Sequence, residues 1–560
     1  MPRKFLNVSA LLFSVVIGSG LWACYGGTVT ITELPNPVDD DRPPGSAPEL
    51  PRVAVELPAA PTTGAVRIVS GGDDLQRAID DARPGDAIAL QPGAVFRGSL
   101  TLPEKSGNGW ITIKTNTPDG VFPAPGTRVS PSDARLMPVI ESGDDCAIRT
   151  EGAAHHYRFI GIEIRPKSGV FVNNLILLGE GAKSVDALPH HIIFERCYVH
   201  GDATVGGRRG IALNSIHTAV LDSYFSDFKQ EGEDSQAICG WNGTGPFAII
   251  NNYLEGAGEN VMFGGADPGI LNLVPSDIVI RDNYLAKPLT WRKSPWSVKD
   301  LFELKNARRV LVEHNLFEYN WPDTQNGYAI LFTPRNQDGD SPWSMVRDIT
   351  FRDNVIRHVS SGVNLLGTDN LHSSQQTKRI LIRNNVFDDV SNVNWGGIGN
   401  LIQVTGGAAD ITVDHNTAFE TNAVLVASGQ PNPRFTFTNN LAPKGVYGVG
   451  GDSYYGDPNQ ALSAYFPGAV FVANVLQGGD ASDYPPGNFF PASLSDIGFG
   501  NYVAGDYRLL TSSPYKNAGT DGKDIGADIN SSETPPRHRA VRGAASGSVG
   551  PSAANEPVQH

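Results

Sequence analysis

The sequence predicts an all-β chain wound as one solenoid of stacked parallel strands and closed at its N-terminal end by a capping helix. Three observations predict it. The first is a repeat: alternating β-branched or apolar residues, two polar residues, an Asn, then two apolar residues. It reads Ile278-Val279-Ile280-Arg281-Asp282-Asn283-Tyr284-Leu285 and returns around Asn315, Asn354, Asn385, Asn416 and Asn440, with Cys197, Ser223 and Asn252 at the equivalent upstream position. The anchor-to-anchor steps are 26, 29, 31, 32, 39, 31, 31 and 24 residues. Period-two alternation means strands. Most steps are too short for a strand–helix–strand unit and suit one solenoid coil with variable loops. The second observation is another short strand between anchors, as in Val261-Met262-Phe263, Leu301 to Lys305, Ala329 to Thr333, Val363-Asn364-Leu365 and Leu401 to Val404. The third is composition: 62 Gly, 40 Pro and only 18% charged residues argue against a helical bundle, while 40% hydrophobic and 9% aromatic residues supply a core and exclude wholesale disorder.

Residues 1–24 read as an export signal: Arg3 and Lys4, an apolar run from Leu6 to Val16, then Leu21-Trp22-Ala23-Cys24. That ending resembles a bacterial lipobox, which implies a lipid on Cys24; the alternative is an ordinary signal peptide cleaved nearby. The run is too short for a stable membrane-spanning helix. The expected location is therefore outside the cytoplasm of a bacterium, as an outer-membrane lipoprotein or a secreted protein. Residues 25–62, with eight Pro from Pro35 to Pro61 and Asp39-Asp40-Asp41, read as an extended solvated linker. Asp73 to Ala82 supplies the capping helix, with Leu75, Ala78, Ile79 and Ala82 on one face and Pro84-Gly85 as the stop. Ala87-Ile88-Ala89-Leu90 then begins the first coil. The solenoid occupies 63–530, and 531–560 reads as a disordered tail. Cys146, Cys197 and Cys239 fit buried thiols better than a disulfide framework. A net charge of -15 excludes non-specific nucleic-acid binding by the protein as a whole. A monomer is expected.

Stacked coils place equivalent residues in columns about 4.8 Å apart. An Asn at each bend can turn left-handed and hydrogen-bond to the next, so the Asn column is structural. For function, the sequence lacks a Gly-His-Gly, a His-Glu-x-x-His, a P-loop and a Gly-x-Ser-x-Gly. Alternation turns Phe302, Leu304, Ile330 and Phe332 inward. The outward strip is then Glu303/Lys305, Thr333/Arg335, Asn364 and Gln403. Six basic residues between 292 and 309 (Arg292, Lys293, Lys299, Lys305, Arg308 and Arg309) form either a cationic patch or a solvated loop. Trp291, Trp296, Trp321 and Trp343 fall in flanking loops, where they either stack on sugar rings or pack the loops. Glu259, Asp267 and Glu303 are candidate paired carboxylates for a hydrolase, although Asp267-Pro268-Gly269 is also a turn signal. His155-His156, His190-His191, His314 and His415 lack metal-ligand spacing along the chain, and His314 and His415 read as rung-corner residues.

The helix-then-strand opening, with the closing Asp506-Tyr507-Arg508-Leu509 and Asp524-Ile525-Gly526-Ala527, resembles the pectate-lyase-like right-handed parallel β-helix superfamily over roughly 65–530. The resemblance implies a right-handed coil but not one activity, because that fold hosts many chemistries. Glu303-x-Lys305 followed by Arg335 is similar to the chondroitinase-B and alginate-lyase type. That similarity implies Lys305 as base, Arg335 steadying the substrate, and acidic residues, Glu303 among them, holding calcium against a uronate carboxylate. A Pro before Arg335 and the following Asn336-Gln337 depart from the type. Arg335 beside Lys305 would lower the pKa of that amine, and Glu303 would raise it. The expectation is a carbohydrate-active protein working on an acidic, uronate-containing polysaccharide by β-elimination. The alternatives are a non-catalytic glycan-binding or structural surface protein and a glycoside hydrolase.

Overall fold

The computed structural model describes residues 34, 36–38, 40, 42–58 and 64–530. The expected export signal with Cys24 and the expected tail from 531 lie outside the described residues. Three long sheets of 14, 12 and 13 strands run the length of the solenoid, and each coil adds strands to them in turn. Every strand pair within these sheets is parallel. The antiparallel exception, Phe499–Asn501 with Asp506–Leu509, belongs to the C-terminal segment. The inward columns are continuous apolar stacks. In the second sheet Ile238, Val261, Phe302, Ile330, Val363 and Ile402 follow one another in register, all fully buried.

The helix Leu75–Asp81 lids the first coil, with Asp74 as N-cap accepting from the Arg77 amide. Leu75, Ala78, Ile79 and Ala82 join the main core. The first rung lies earlier than expected. Val66–Val69, before the helix, pairs with Ala87–Leu90 and opens the first sheet.

The corner between the first and third sheets carries the predicted ladder. Each anchor side-chain oxygen accepts from the preceding anchor's backbone N–H, from Cys197 to Ser223 and on to Asn440, and the ladder continues to Asn474 and Asn488. The left-handed residue is not the anchor, as expected, but the residue before it: Asp282 (φ 60), His314 (φ 56), Asp353 (φ 57) and His415 (φ 52). Turning there leaves the anchor extended, with its amide free to reach the next coil. His314 and His415 are therefore corner residues. Asn354→Ala is expected to cost about 3 kcal/mol, because it strands the buried Asn315 amide and its own former carbonyl partner, Val312. Chemical denaturation of the variant checks this; a loss below about 0.5 kcal/mol would make the column incidental.

A second left-handed column runs along the start of the first-sheet strands. Its upper part alternates in charge: Asp277, Arg309, Asp348, Arg379, Asp410 and Arg434, with φ between 53 and 61. Arg309 forks onto Asp277, and Arg379 onto Asp348, at 2.6–2.8 Å. The stretch expected as a solvated linker instead lies on this column in its described part. Arg42 pairs with Asp348, the Gly45 amide donates to Asp410, and the Arg52 amide donates to Asp277. Asp40 is held by Lys378 and Arg379 at 2.6 Å each. Burial raises the Asp40 pKa, but those cations outweigh it and hold the carboxyl well below its usual range. Its contribution is present at neutral pH and is lost only in strong acid. Cys146, Cys197 and Cys239 are buried free thiols.

Candidate active site

Three strands of the second sheet build the site: Gln236–Gly240, Glu259–Phe263 and Asp300–Leu304. Their first residues, Gln236, Glu259 and Asp300, stack in register. Glu303 lies three residues beyond Asp300, and the intervening Leu301 and Phe302 turn into the core. Leu301 and Phe302 being consecutive inward residues puts both Asp300 and Glu303 on the outer face. Strict alternation would have separated them. Carboxylate oxygens of Glu259, Asp300 and Glu303 come within 4.8 Å of one another, all buried.

The chemistry of this cluster lies in what its oxygens lack. Gln236 Nε2 donates to Glu259 at 2.7 Å, Thr333 Oγ1 donates to Glu303 at 2.8 Å, and Lys305 Nζ pairs with Glu303 at 3.1 Å. Both oxygens of Asp300, one each of Glu259 and Glu303, and the Gln236 Oε1 are buried without a hydrogen-bond donor. Buried carboxylate oxygens without donors are costly unless they share protons or ligate a cation. Oxygen-only donors suit a hard divalent ion, so the residues fit calcium, magnesium or manganese. Burial pushes the Glu259 carboxyl up to about 7, with help from Asp234 and Glu303 and against Lys299. Burial and the neighbouring carboxylates raise Asp300 well above its usual range.

Three lysines surround the cluster. Lys299 pairs with Asp234 at 2.5 Å and lies 3.7 Å from Glu259. Lys287 is fully buried and donates to the carbonyls of Gly256, Ala257 and Gly258 and to Asn260 Oδ1, stapling the turn that delivers Glu259. Burial pulls its pKa down to about 7, partly offset by Asp300 and Glu259. Lys305 pairs with Glu303 and keeps 15% of its side chain exposed. Gly264 and Gly265 pass against it with φ of +97° and +84°, and a Cβ on Gly264 would come within 2.9 Å of the Lys305 Cβ. Burial lowers the Lys305 pKa, but Glu303, Glu259 and Asp300 together outweigh it, so the net direction is up. The expected lowering by Arg335 is overturned, because Arg335 is committed elsewhere.

The strip reorganises in three ways. The rung above Glu303 carries Leu331, while Thr333 bends back to Glu303. The Arg335 amide donates to the Lys305 carbonyl at 2.9 Å, so the two residues occupy adjacent rungs, but the Arg335 guanidinium binds Asp369 at 2.6 Å and Asn370 at 3.1 Å. Asn364 and Gln403 hydrogen-bond each other at 3.0 Å in a separate group with Tyr328 and Asn400.

Other expectations are corrected outright. Trp291 and Trp321 are 5% exposed and pack with Ala257 and Val298, and Trp343 packs on Val274 and Met345. These three pin loops and offer no face to a sugar; Trp296 alone of the four is half-buried. Asp267 accepts from three backbone amides of 337–340 and from Ser341 Oγ, which lowers its pKa despite burial, so it fixes a loop and cannot serve as an acid. The basic run is dispersed: Lys299 and Lys305 face the carboxylates, while Arg308 and Arg309 bond Ser276 and Asp277 on the first sheet. Sequence reasoning missed Asp300, Gln236 and Lys287. The signal was a polar residue at the first position of three successive second-sheet strands. A cleft of about 500 Å³, lined by Arg352, Arg383, His415 and Lys516, lies away from the cluster, and its basic residues Arg352, Arg383 and Lys516 pair with Glu313, Asp414 and Asp524.

No protein-family model and no curated sequence matches the chain. Solved structures do match in fold. A mannuronic acid specific polysaccharide family 6 lyase from human gut microbiota aligns with TM-score 0.51 and 12% identity, over 77% of this chain and 93% of its own. A PL6 family alginate lyase, AlyGC, aligns with TM-score 0.49 and 14% identity over 83% of this chain and 59% of its own. The catalytic unit of a GH87 alpha-1,3-glucanase from Streptomyces thermodiastaticus aligns with TM-score 0.46 and 12% identity, over 80% of this chain and 72% of its own. The likeness is to pectate- and alginate-lyase-like right-handed β-helix proteins, and at these identities it concerns the fold.

Proposed function

We propose that the chain is a carbohydrate-active enzyme that cleaves an acidic, uronate-containing polysaccharide by β-elimination at the second-sheet carboxylate site. The observation that carries this reading is the set of buried oxygens of Gln236, Glu259, Asp300 and Glu303 without donors, beside Lys305, which keeps a small exposed edge. A divalent cation held by these oxygens would neutralise a substrate carboxylate and offset the negative field that raises Lys305. Lys305, as a neutral amine, takes the proton α to the uronate carboxylate. The C–H electron pair forms the new double bond as the bond to the glycosidic oxygen breaks, and that oxygen takes its proton from water, while the α-proton remains on Lys305 until it returns to solvent. Arg335, fixed by Asp369, lines the next rung and orients the sugar acid. The mannuronic acid specificity of one fold neighbour is compatible with this substrate class. Arg3-Lys4, the apolar run and Cys24 support export and lipid anchorage, which suits a polymeric substrate.

A hydrolase reading is favoured by one observation: a Glu259 pKa near 7 keeps a carboxylic acid partly protonated at neutral pH. Incubation of the full chain with alginate, pectate and chondroitin separates the two. Elimination yields an unsaturated product that absorbs in the ultraviolet, while hydrolysis yields reducing ends without absorbance. Neither product from any of the three, with binding retained, would leave a glycan-binding protein.

A further inference from the structure

A second cluster of ligand-type side chains lies on the first sheet, where five of the twelve histidines meet. The strands His155–Ile160 and His190–Glu195 each open on a His pair, and they are in register with His190 opposite His155. His155 stacks on His190 (ring centroids 4.7 Å apart, planes 10° apart), and His156 stacks on His191 (4.5 Å, 3°). His217 extends the second stack at 4.6 Å. Within each pair the Nδ1 atoms approach to 2.8 Å and 2.7 Å. One nitrogen each of His156, His190 and His191 falls within 4.8 Å of the others. Trp110 closes one side, edge-on to His156 at 5.1 Å, and Val55 of the docked N-terminal segment packs in the same group as Trp110.

This arrangement is suited to a metal rather than to protons alone. Two Nδ1 atoms so close cannot both carry hydrogen, so each pair already presents a lone pair to its neighbour. Tetrahedral ligands at a Zn–N distance of about 2.0–2.1 Å are about 3.3 Å apart, so the His190–His191 pair need widen by only about 0.6 Å to admit the ion beside His156. Burial and mutual repulsion hold His156, His190 and His191 neutral, at about 4, 3 and 4, which is the ligating form. An all-imidazole set selects borderline transition ions and not the hard cations suited to the carboxylate site. The anion felt there is Glu56 of the docked segment, which acts on His191 and His217.

We propose that His156, His190 and His191 form a transition-metal site for zinc or a chemically similar divalent ion, separate from the carboxylate cluster, with His155 hydrogen-bonded to His156 at its edge.

Titration of the tag-free full chain with Zn²⁺ in a calorimeter tests this. One site of micromolar affinity or tighter is expected. It should weaken at least tenfold in His190→Gln/His191→Gln and be unchanged in Asp300→Asn. His156→Gln is a second, milder variant should the double variant unfold by circular dichroism, and it should weaken zinc at least tenfold on its own. Millimolar binding by the parent chain, unchanged affinity in folded His variants, or loss of the site in Asp300→Asn would each overturn the proposal.

Discussion

Lys305→Ala is expected to lower kcat/KM for uronate elimination by about 10²- to 10⁴-fold, the usual contribution of a general base. Because Lys305 also pairs with the buried Glu303, loss of activity in this variant alone would not separate a base from a structural cation. Lys305→Arg separates them. A guanidinium keeps the positive charge beside Glu303, so folding stability should stay near that of the parent chain, yet it cannot shed its proton near neutral pH and cannot act as a base. Activity should therefore be as low in Lys305→Arg as in Lys305→Ala, while only Lys305→Ala loses stability. The pH profile adds a sign. The neighbouring carboxylates raise the Lys305 pKa, so the neutral amine grows scarcer than in an ordinary lysine. The rate should climb with pH on the alkaline side as the amine loses its proton. An active Lys305→Arg, or a rate that falls as pH rises, would remove Lys305 from the role of base.

The fold was legible because each of its rules is short-range and repeats. Alternation placed Phe302, Leu304, Ile330 and Phe332 inside, and the Asn spacing gave the coil length. What escaped notice depends on registers that no single segment displays. The alternating column Asp277, Arg309, Asp348, Arg379, Asp410 and Arg434 becomes a ladder only after stacking. Without it, the Pro-rich segment that binds the column reads as a free spacer. The His pairs at 155 and 190 look unrelated along the chain, yet they are one rung apart in space. At the carboxylate site, Glu303 and Lys305 were visible because they lie two residues apart at the end of one strand. Asp300 was hidden because two consecutive inward residues, Leu301 and Phe302, break strict alternation. The Trp loops misled for the opposite reason. Aromatic residues in a long loop serve equally to bind a sugar or to anchor the loop, and only burial distinguishes the two uses.

Calcium, or magnesium or manganese in its place, should stabilise the parent chain and leave Asp300→Asn unaffected. An ion at one hundred times its dissociation constant adds about 2.7 kcal/mol if it binds only the folded state. The size should depend on pH in a direction fixed by the carboxyls. Glu259 titrates near 7, and Asp300 lies well above its usual range. A carboxyl raised on folding loses stability as pH climbs from its unfolded value, near 4.5 for Glu, through its folded value. The metal-free site is therefore most strained once both groups ionise. Protons compete with the ion below that point. The increment in thermal stability from calcium should accordingly be small at pH 5 and grow toward pH 8. In Asp300→Asn the amide supplies one donor and one acceptor where two acceptors stood, so the increment should vanish, while the variant without added ion should be at least as stable as the parent at pH 8. Thermal unfolding with and without each ion, at both pH values, measures all of this. A calcium increment that is equal at pH 5 and pH 8, or that survives in Asp300→Asn, would mean that the ion acts elsewhere and that the buried carboxylates are held by shared protons alone.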